Sequence, residues 1–231
     1  MMSASGSAEM SQQDRLVELL QDASIIPVIT IERADDAVPL AKALVAGGLR
    51  LLEVTLRTPV APAAAAAIVA SVPEAIVGIG TVVSERDLVL ASQLGARFAL
   101  SPGATLDLLD AAAASNLPFI PGIATASELM TALARGFDIV KFFPAVPAGG
   151  IATLKALAGP FPQVRFCPTG GIDETNTSEW LAQPNVVAVG GSWLAPATDV
   201  RNGDWPAITK RVQRTLTKIS RIHKGLNQVP R

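Results

Sequence analysis

The chain has 231 residues, 49% hydrophobic and 17% charged, a composition that can bury a sizeable core and is too apolar for a disordered chain. Its net charge of −1 supplies no positive field to gather a polyanion, so a nucleic-acid partner is not expected. Cys167 and His223 are the only cysteine and histidine, which excludes an intrachain disulfide, suits a reducing cytoplasm, and leaves too few ligands for ordinary zinc chemistry or a histidine-based triad.

Residues 1–11 are small and polar, with neither a basic n-region nor an apolar h-region; they read as a flexible extension and not as a signal peptide. A helix over Gln12–Leu20 is expected next, placed to plug the bottom of a barrel. Short apolar runs then recur at Ile25–Ile31, Leu51–Thr55, Ala75–Ile79, Arg97–Leu100, Leu117–Ile120, Asp138–Phe143, Gln163–Phe166 and Val186–Val189. Helical patterns lie between them: Ala34–Val45 before Gly47-Gly48, Ser84–Leu94 before Gly95, and Ser127–Ala134 before Gly136. The glycines suit C-caps, and Ser84 with Asp87, or Ser127, suits a helix start. The alanine-rich stretch Val60–Val72 has Pro62 in its first turn, and no run approaches the roughly 18 apolar residues of a membrane span.

Eight nearly continuous hydrophobic strands alternating with helices imply parallel pairing under a helical cover, and the count selects a closed (β/α)8 TIM barrel over an open doubly wound sheet. An open sheet would also announce a dinucleotide site by G-x-G-x-x-G in its first turn, where this chain reads Thr30-Ile31-Glu32-Arg33. A single domain over 12–216 is expected, followed by a basic tail over 217–231. The cations from Lys210 to Arg231 read as a solvated last helix face in preference to a binding patch.

In such a barrel the active site lies at the C-terminal ends of the strands. Period-two alternation on the second strand puts Glu53, Thr55 and Arg57 on one face, inward, with Leu52, Val54 and Leu56 toward the helices. The competing reading is a structural Glu53–Arg57 ion pair. Thr81, after the third strand, offers a hydroxyl to a carboxylate or carbonyl, and Pro102, after the fourth, shapes the pocket wall. Lys141 is the only one of six lysines embedded in an apolar strand. Burial there disfavours an ammonium and leaves a neutral amine able to attack a carbonyl. A snorkelling lysine, or one held in a structural ion pair, competes; Glu53 suits either that partner or a proton shuttle. Cys167 reads as a packing residue, since no histidine stands ready to activate it. The last two strands end in Thr169-Gly170-Gly171 and Gly190-Gly191-Ser192, paired glycines where many barrels hold phosphate on backbone amides.

Six motifs, in order, resemble the 2-keto-3-deoxy-6-phosphogluconate (KDPG) aldolases: Glu53-Val54-Thr55-Leu56-Arg57-Thr58, Gly80-Thr81, Ser101-Pro102-Gly103, Lys141-Phe142-Phe143-Pro144-Ala145, Phe166-Cys167-Pro168-Thr169-Gly170-Gly171-Ile172 and Gly190-Gly191-Ser192-Trp193. The resemblance spans about Leu16 to Leu216. It implies a metal-free, cofactor-free class I aldolase, a cytoplasmic homotrimer of the Entner–Doudoroff pathway that splits its substrate into pyruvate and glyceraldehyde 3-phosphate. It further implies that Lys141 forms the Schiff base and Glu53 is the general acid/base. Arg57, Thr81 and Thr169 would meet the carboxylate end of the pyruvyl group, Phe143 would line the pocket, and Gly170, Gly171, Gly191 and Ser192 would lie near the phosphate. Cleavage of 4-hydroxy-2-oxoglutarate is implied as a second activity. The alternatives are an aldolase for the galactonate-derived epimer, a phosphosugar epimerase or isomerase in which Lys141 only binds, and a silent sugar-phosphate-binding protein.

Overall fold

The computed structural model describes residues 10–21 and 23–226, with side chains to 220. Residues 1–9 and 227–231, which hold most of the expected extension and the end of the expected tail, lie outside the described residues, as does the His223 side chain. In chain order the elements are α1 (Gln12–Leu20), β1 (Ile25–Ile29), α2 (Ala37–Gly47), β2 (Leu51–Thr55), α3 (Ala61–Ser71), β3 (Ile76–Gly80), α4 (Glu85–Gln93), β4 (Phe98–Leu100) and α5 (Leu106–Ala114). They continue with β5 (Phe119–Ile120), β6 (Gly122–Ile123), α6 (Ala126–Leu133), β7 (Ile139–Phe142), α7 (Gly150–Ala158), β8 (Arg165–Pro168), α8 (Thr177–Leu181), β9 (Val189–Gly191), α9 (Ala197–Asn202) and α10 (Trp205–Leu226). Among the described residues no helix is long and apolar enough to cross a membrane.

The strands pair in parallel throughout and form a curled α/β sheet in two parts, β5-β4-β3-β2-β1-β9 and β6-β7-β8. Most expected strands shift by one or two residues at an end, and two differ in kind. The fifth, expected over Leu117–Ile120, pairs only as β5 (Phe119–Ile120), and beyond Pro121, which lacks the N–H that a ladder needs, the chain pairs again as the unexpected β6. The eighth begins at Val189 instead of Val186, and the earlier stretch contributes only the bridge Phe166↔Val186. A second isolated bridge, Thr169↔Gly190, joins the ends of β8 and β9.

Helix boundaries follow side-chain caps. Ser84 caps α4 by accepting from the Asp87 amide, as its spacing suggests. The start of α6 is capped by Thr125, which forms a capping box with Glu128; Ser127 lies inside the helix. Ser11, assigned to the extension by sequence, is the N-cap of α1, in a capping box with Asp14. Gly48, Gly95 and Gly136 follow their helices with φ of 109°, 77° and 85°, left-handed values that only glycine adopts without strain.

Alternation along the strands sorts the apolar side chains into two cores. Ile25, Ile29, Leu52, Val54, Val140 and Phe142 belong to the larger one, between strands and helices. Ile26, Leu51, Phe98, Leu100, Ile120, Ile139 and Cys167 point the other way and meet Leu16 and Leu20 of α1 in a second cluster. One pleat further along the same inward rows, Leu51 gives way to Glu53, Ile139 to Lys141 and Cys167 to Thr169. The dry floor of the second cluster thus ends where buried polar side chains begin.

The last helix continues past the expected domain end at 216 to Leu226. Ile208, Val212 and Ile219 are buried on its inner face, and Thr209 Oγ1 donates to Ala43 O of α2 at 2.9 Å. Its basic face is tied down by ion pairs: Arg211 to Asp199 at 2.7 Å and Arg214 to Glu174 at 2.8 Å. Lys218 Nζ also donates to Glu174 O at 2.9 Å.

Candidate active site

Lys141 lies in β7, whose four residues are all buried, and Glu53 lies in β2, buried over its whole length. Lys141 Nζ donates to Glu53 Oε1 at 2.8 Å, with the two side chains 3% and 1% exposed. Strand alternation accounts for the meeting, because both residues occupy inward rows directly above the apolar floor. The sheet also makes room for the carboxylate: a Cβ added to Gly80 would fall 2.1 Å from Glu53 Oε1. Glu53 Oε2 is buried with no hydrogen-bond partner among the described residues. A buried carboxylate oxygen without a donor is costly. The Glu53–Arg57 ion pair weighed from the sequence does not form, since Glu53 is turned to Lys141. Arg57 follows the end of β2, is exposed, and donates from Nε to Thr81 Oγ1 at 3.3 Å.

Thr81 has φ 63°, the one positive φ of a non-glycine residue among the described residues. A β-branched residue is strained there, and such strain gathers at functional sites. Phe143 places its ring centroid 5.6 Å from Lys141 Nζ, within reach of a cation–π contact. Pro102 packs closely against β6, where a Cβ on Gly122 would lie 2.3 Å from the Pro102 carbonyl carbon. Ser101 Oγ accepts from the Gly122 amide at 3.0 Å, and Gly122 is in register with Lys141.

Thr169 is buried at the end of β8, its amide donating to Phe142 O at 2.9 Å. Gly170 and Gly171 have φ of 102° and 78°, and the loop after β7 joins them: Ala145 N donates to Thr169 O at 2.8 Å and Val146 N to Gly170 O at 3.0 Å. The second glycine pair is also required by packing. A Cβ on Gly190 would meet Thr169 Oγ1 at 2.2 Å, and one on Gly191 would meet the Trp193 ring at 1.5 Å. Ser192 is exposed beside them.

Cys167, two residues before Thr169, is fully buried. Burial pushes its thiol up to about 12, outweighing the pull of the Lys141 charge, as befits a packing residue.

Sequence reasoning missed Thr30 altogether. Its Oγ1 lies 3.1 Å from Thr55 Oγ1, and Thr55 Oγ1 donates to Ile29 O at 3.0 Å. The alternation Val28, Thr30 against Ile29, Ile31 carried the signal.

The chain resembles known proteins over most of its length. The family model described as KDPG and KHG aldolase matches residues 16–211. The Escherichia coli K12 protein named KHG/KDPG aldolase is 52% identical over 192 residues, covering 83% of this chain and 90% of that one. The crystal structure of KDPG aldolase from Legionella pneumophila, with pyruvate captured as a covalent carbinolamine intermediate, superposes with a TM-score of 0.85 at 46% identity, covering 89% of this chain and 98% of that one. The Zymomonas mobilis ZM4 2-keto-3-deoxy-6-phosphogluconate aldolase with 3-phosphoglycerate gives 0.82 at 44% identity, covering 89% and 96%. With a buried lysine–glutamate pair inside two strands and matches of this extent, the chain belongs to the KDPG and KHG aldolase family.

Proposed function

We propose that this chain is a class I aldolase that cleaves 2-keto-3-deoxy-6-phosphogluconate to pyruvate and D-glyceraldehyde 3-phosphate through a Schiff base on Lys141, without metal or cofactor. The observation that carries this is the buried Lys141–Glu53 pair at 2.8 Å. Moving the Nζ proton to Glu53 Oε1 leaves the pair's net charge unchanged and yields a neutral amine beside a carboxylic acid. Those are the two groups the first step needs. The amine attacks the C2 ketone, and the acid protonates the departing hydroxyl as the carbinolamine dehydrates to an iminium. Glu53, again a carboxylate, takes the C4 hydroxyl proton; the C3–C4 bond breaks, releasing the aldehyde and leaving its electron pair in the enamine. Protonation at C3 and hydrolysis free pyruvate and restore Lys141.

Around this centre Arg57, Thr81 and Thr169 hold the carboxylate end, Arg57 by charge-assisted hydrogen bonds. Pro102 and Phe143 wall the pocket, and Gly170, Gly171, Gly191 and Ser192 receive the phosphate. The reading is supported by the covalent pyruvate of the Legionella relative and the 3-phosphoglycerate of the Zymomonas relative, which resemble the two halves of the substrate. The paired names of the Escherichia coli relative support cleavage of 4-hydroxy-2-oxoglutarate as well.

The expected unit 12–216 is read as one closed (β/α)8 barrel with α1 covering the bottom, extended by the Ser11 cap and by α10 to Leu226. Closure is supported on one side by the continuity of β5 and β6 across Pro121, whose carbonyl accepts from Lys141 N at 2.8 Å. On the other it is supported by the bridges between β8 and the β9 segment. A cytoplasmic homotrimer of the Entner–Doudoroff pathway fits the lone buried cysteine and the exposed Val83, Val89, Leu106 and Met130, which crowd the α4–α6 side.

The direct test is turnover of the gluconate-derived and galactonate-derived epimers, read by pyruvate release. The proposal expects preference for the former and no detectable turnover in Lys141→Ala; a Lys141→Ala variant that retains turnover would exclude it.

A further inference from the structure

Thr30 is the first residue past β1 and shares the inward row of Val28, while Ile29 and Ile31 face the helix-side core. The registers locate this row. Val28 stands opposite Glu53 on one side, and Pro27 opposite Gly191 on the other. Thr30 therefore lies one pleat above the Glu53 level and beside the loop that carries Ser192. It lines a cavity of about 580 Å³ together with Val28, Arg33, Ser192, Trp193 and Arg201.

The direction of its hydrogen bond is fixed by its neighbour. Thr55 spends its only hydroxyl proton on Ile29 O, so the 3.1 Å contact between the two hydroxyls must be donated by Thr30. Thr30 Oγ1 consequently turns acceptor lone pairs to the cavity. An acceptor suits an incoming hydroxyl and repels a phosphate oxygen.

We infer that Thr30 is a specificity-determining residue that accepts a hydrogen bond from the C5 hydroxyl of the substrate, in the half that leaves as aldehyde. The assignment rests on the aldolase reading above. With C2 on Lys141, the C4 hydroxyl must reach the Glu53 base and the phosphate extends to the Ser192 loop. The carbon between those two points is C5, and Thr30 stands between the residues that hold them.

The test is a cycle of kcat/KM values for the substrate and its 5-deoxy analogue in wild type, Thr30→Val and Thr30→Ser, alongside borohydride trapping of pyruvate. Thr30→Val should lose about tenfold on the full substrate, the size of one hydrogen bond to a neutral group, and nothing further when the C5 hydroxyl is removed. Thr30→Ser should stay within about twofold of wild type, and trapping should be unchanged in every variant. Thr30→Ala carries the same expectation as Thr30→Val should the valine fold poorly. Equal losses on both substrates, or no loss on the full one, would overturn the assignment while trapping still upholds the aldolase reading. A wild-type enzyme that traps no pyruvate would overturn both.

Discussion

Lys141 and Glu53 stand 88 residues apart in the chain, yet the structure joins them in one buried hydrogen bond. Replacing Glu53 by Gln keeps the volume and removes the proton carrier. Turnover measured by pyruvate release should fall by roughly two to four orders of magnitude, with Schiff-base formation slowed; unchanged turnover would remove Glu53 from the mechanism. Cys167 supplies a pH signature of the same dry region. Its folded thiol is raised from 9.0 to about 12, so the folded state holds this proton more tightly than the unfolded chain. The associated stability is fully present below about pH 9 and drains away as pH rises toward 12, on the order of a few kcal/mol. Denaturant titrations across that window should show a steeper loss for the wild type than for Cys167→Ala; parallel curves would mean that the thiol is not shielded.

At the scale of elements, what could be read in the sequence is what depends on periodicity. The inward row of β2 followed from alternation, because a side chain's face is fixed by counting in twos, and Lys141 stood out as the one lysine inside an apolar run. Strand ends were less legible: the fifth run was ended at Ile120, although the chain pairs again beyond Pro121 as β6, and β9 starts only where pairing with β1 begins. Helix starts depend on which hydroxyl reaches a third amide, and the rival signals Thr125 and Ser127 lie two residues apart. The structure gives the cap to Thr125, so Thr125→Ala should lower stability by about 1 kcal/mol while Ser127→Ala changes it by about 0.5 kcal/mol or less. Chemical denaturation of both variants checks this, and the reverse order would return the cap to Ser127. Alternation could have put Thr30 on the inward row of Val28, but the direction of its hydrogen bond could not be read from sequence, because it depends on the bond that Thr55 makes to Ile29 O.

Across the whole molecule, the fold places Glu53 and Lys141 where their inward rows change from apolar to polar, above the cluster that meets α1. The glycine pair at 190–191 looked like an anion cradle in sequence, and its packing against Thr169 and Trp193 gives it a structural purpose. That purpose is invisible in a linear reading, because the contacts arise across the sheet or through a turn. The exposed apolar residues on the α4–α6 side lead to a further expectation. Light scattering should give a particle near three times 23.9 kDa, and Leu106→Glu with Met130→Glu should shift it toward the monomer; a wild-type monomer would contradict the proposed assembly. The central claim, that Lys141 is the nucleophile, is tested most directly by reducing the enzyme with borohydride in the presence of pyruvate and mapping the adduct by mass spectrometry. The account predicts one reduced pyruvyl group per chain, on the peptide containing Lys141; an adduct on any other lysine, or none at all, would contradict it.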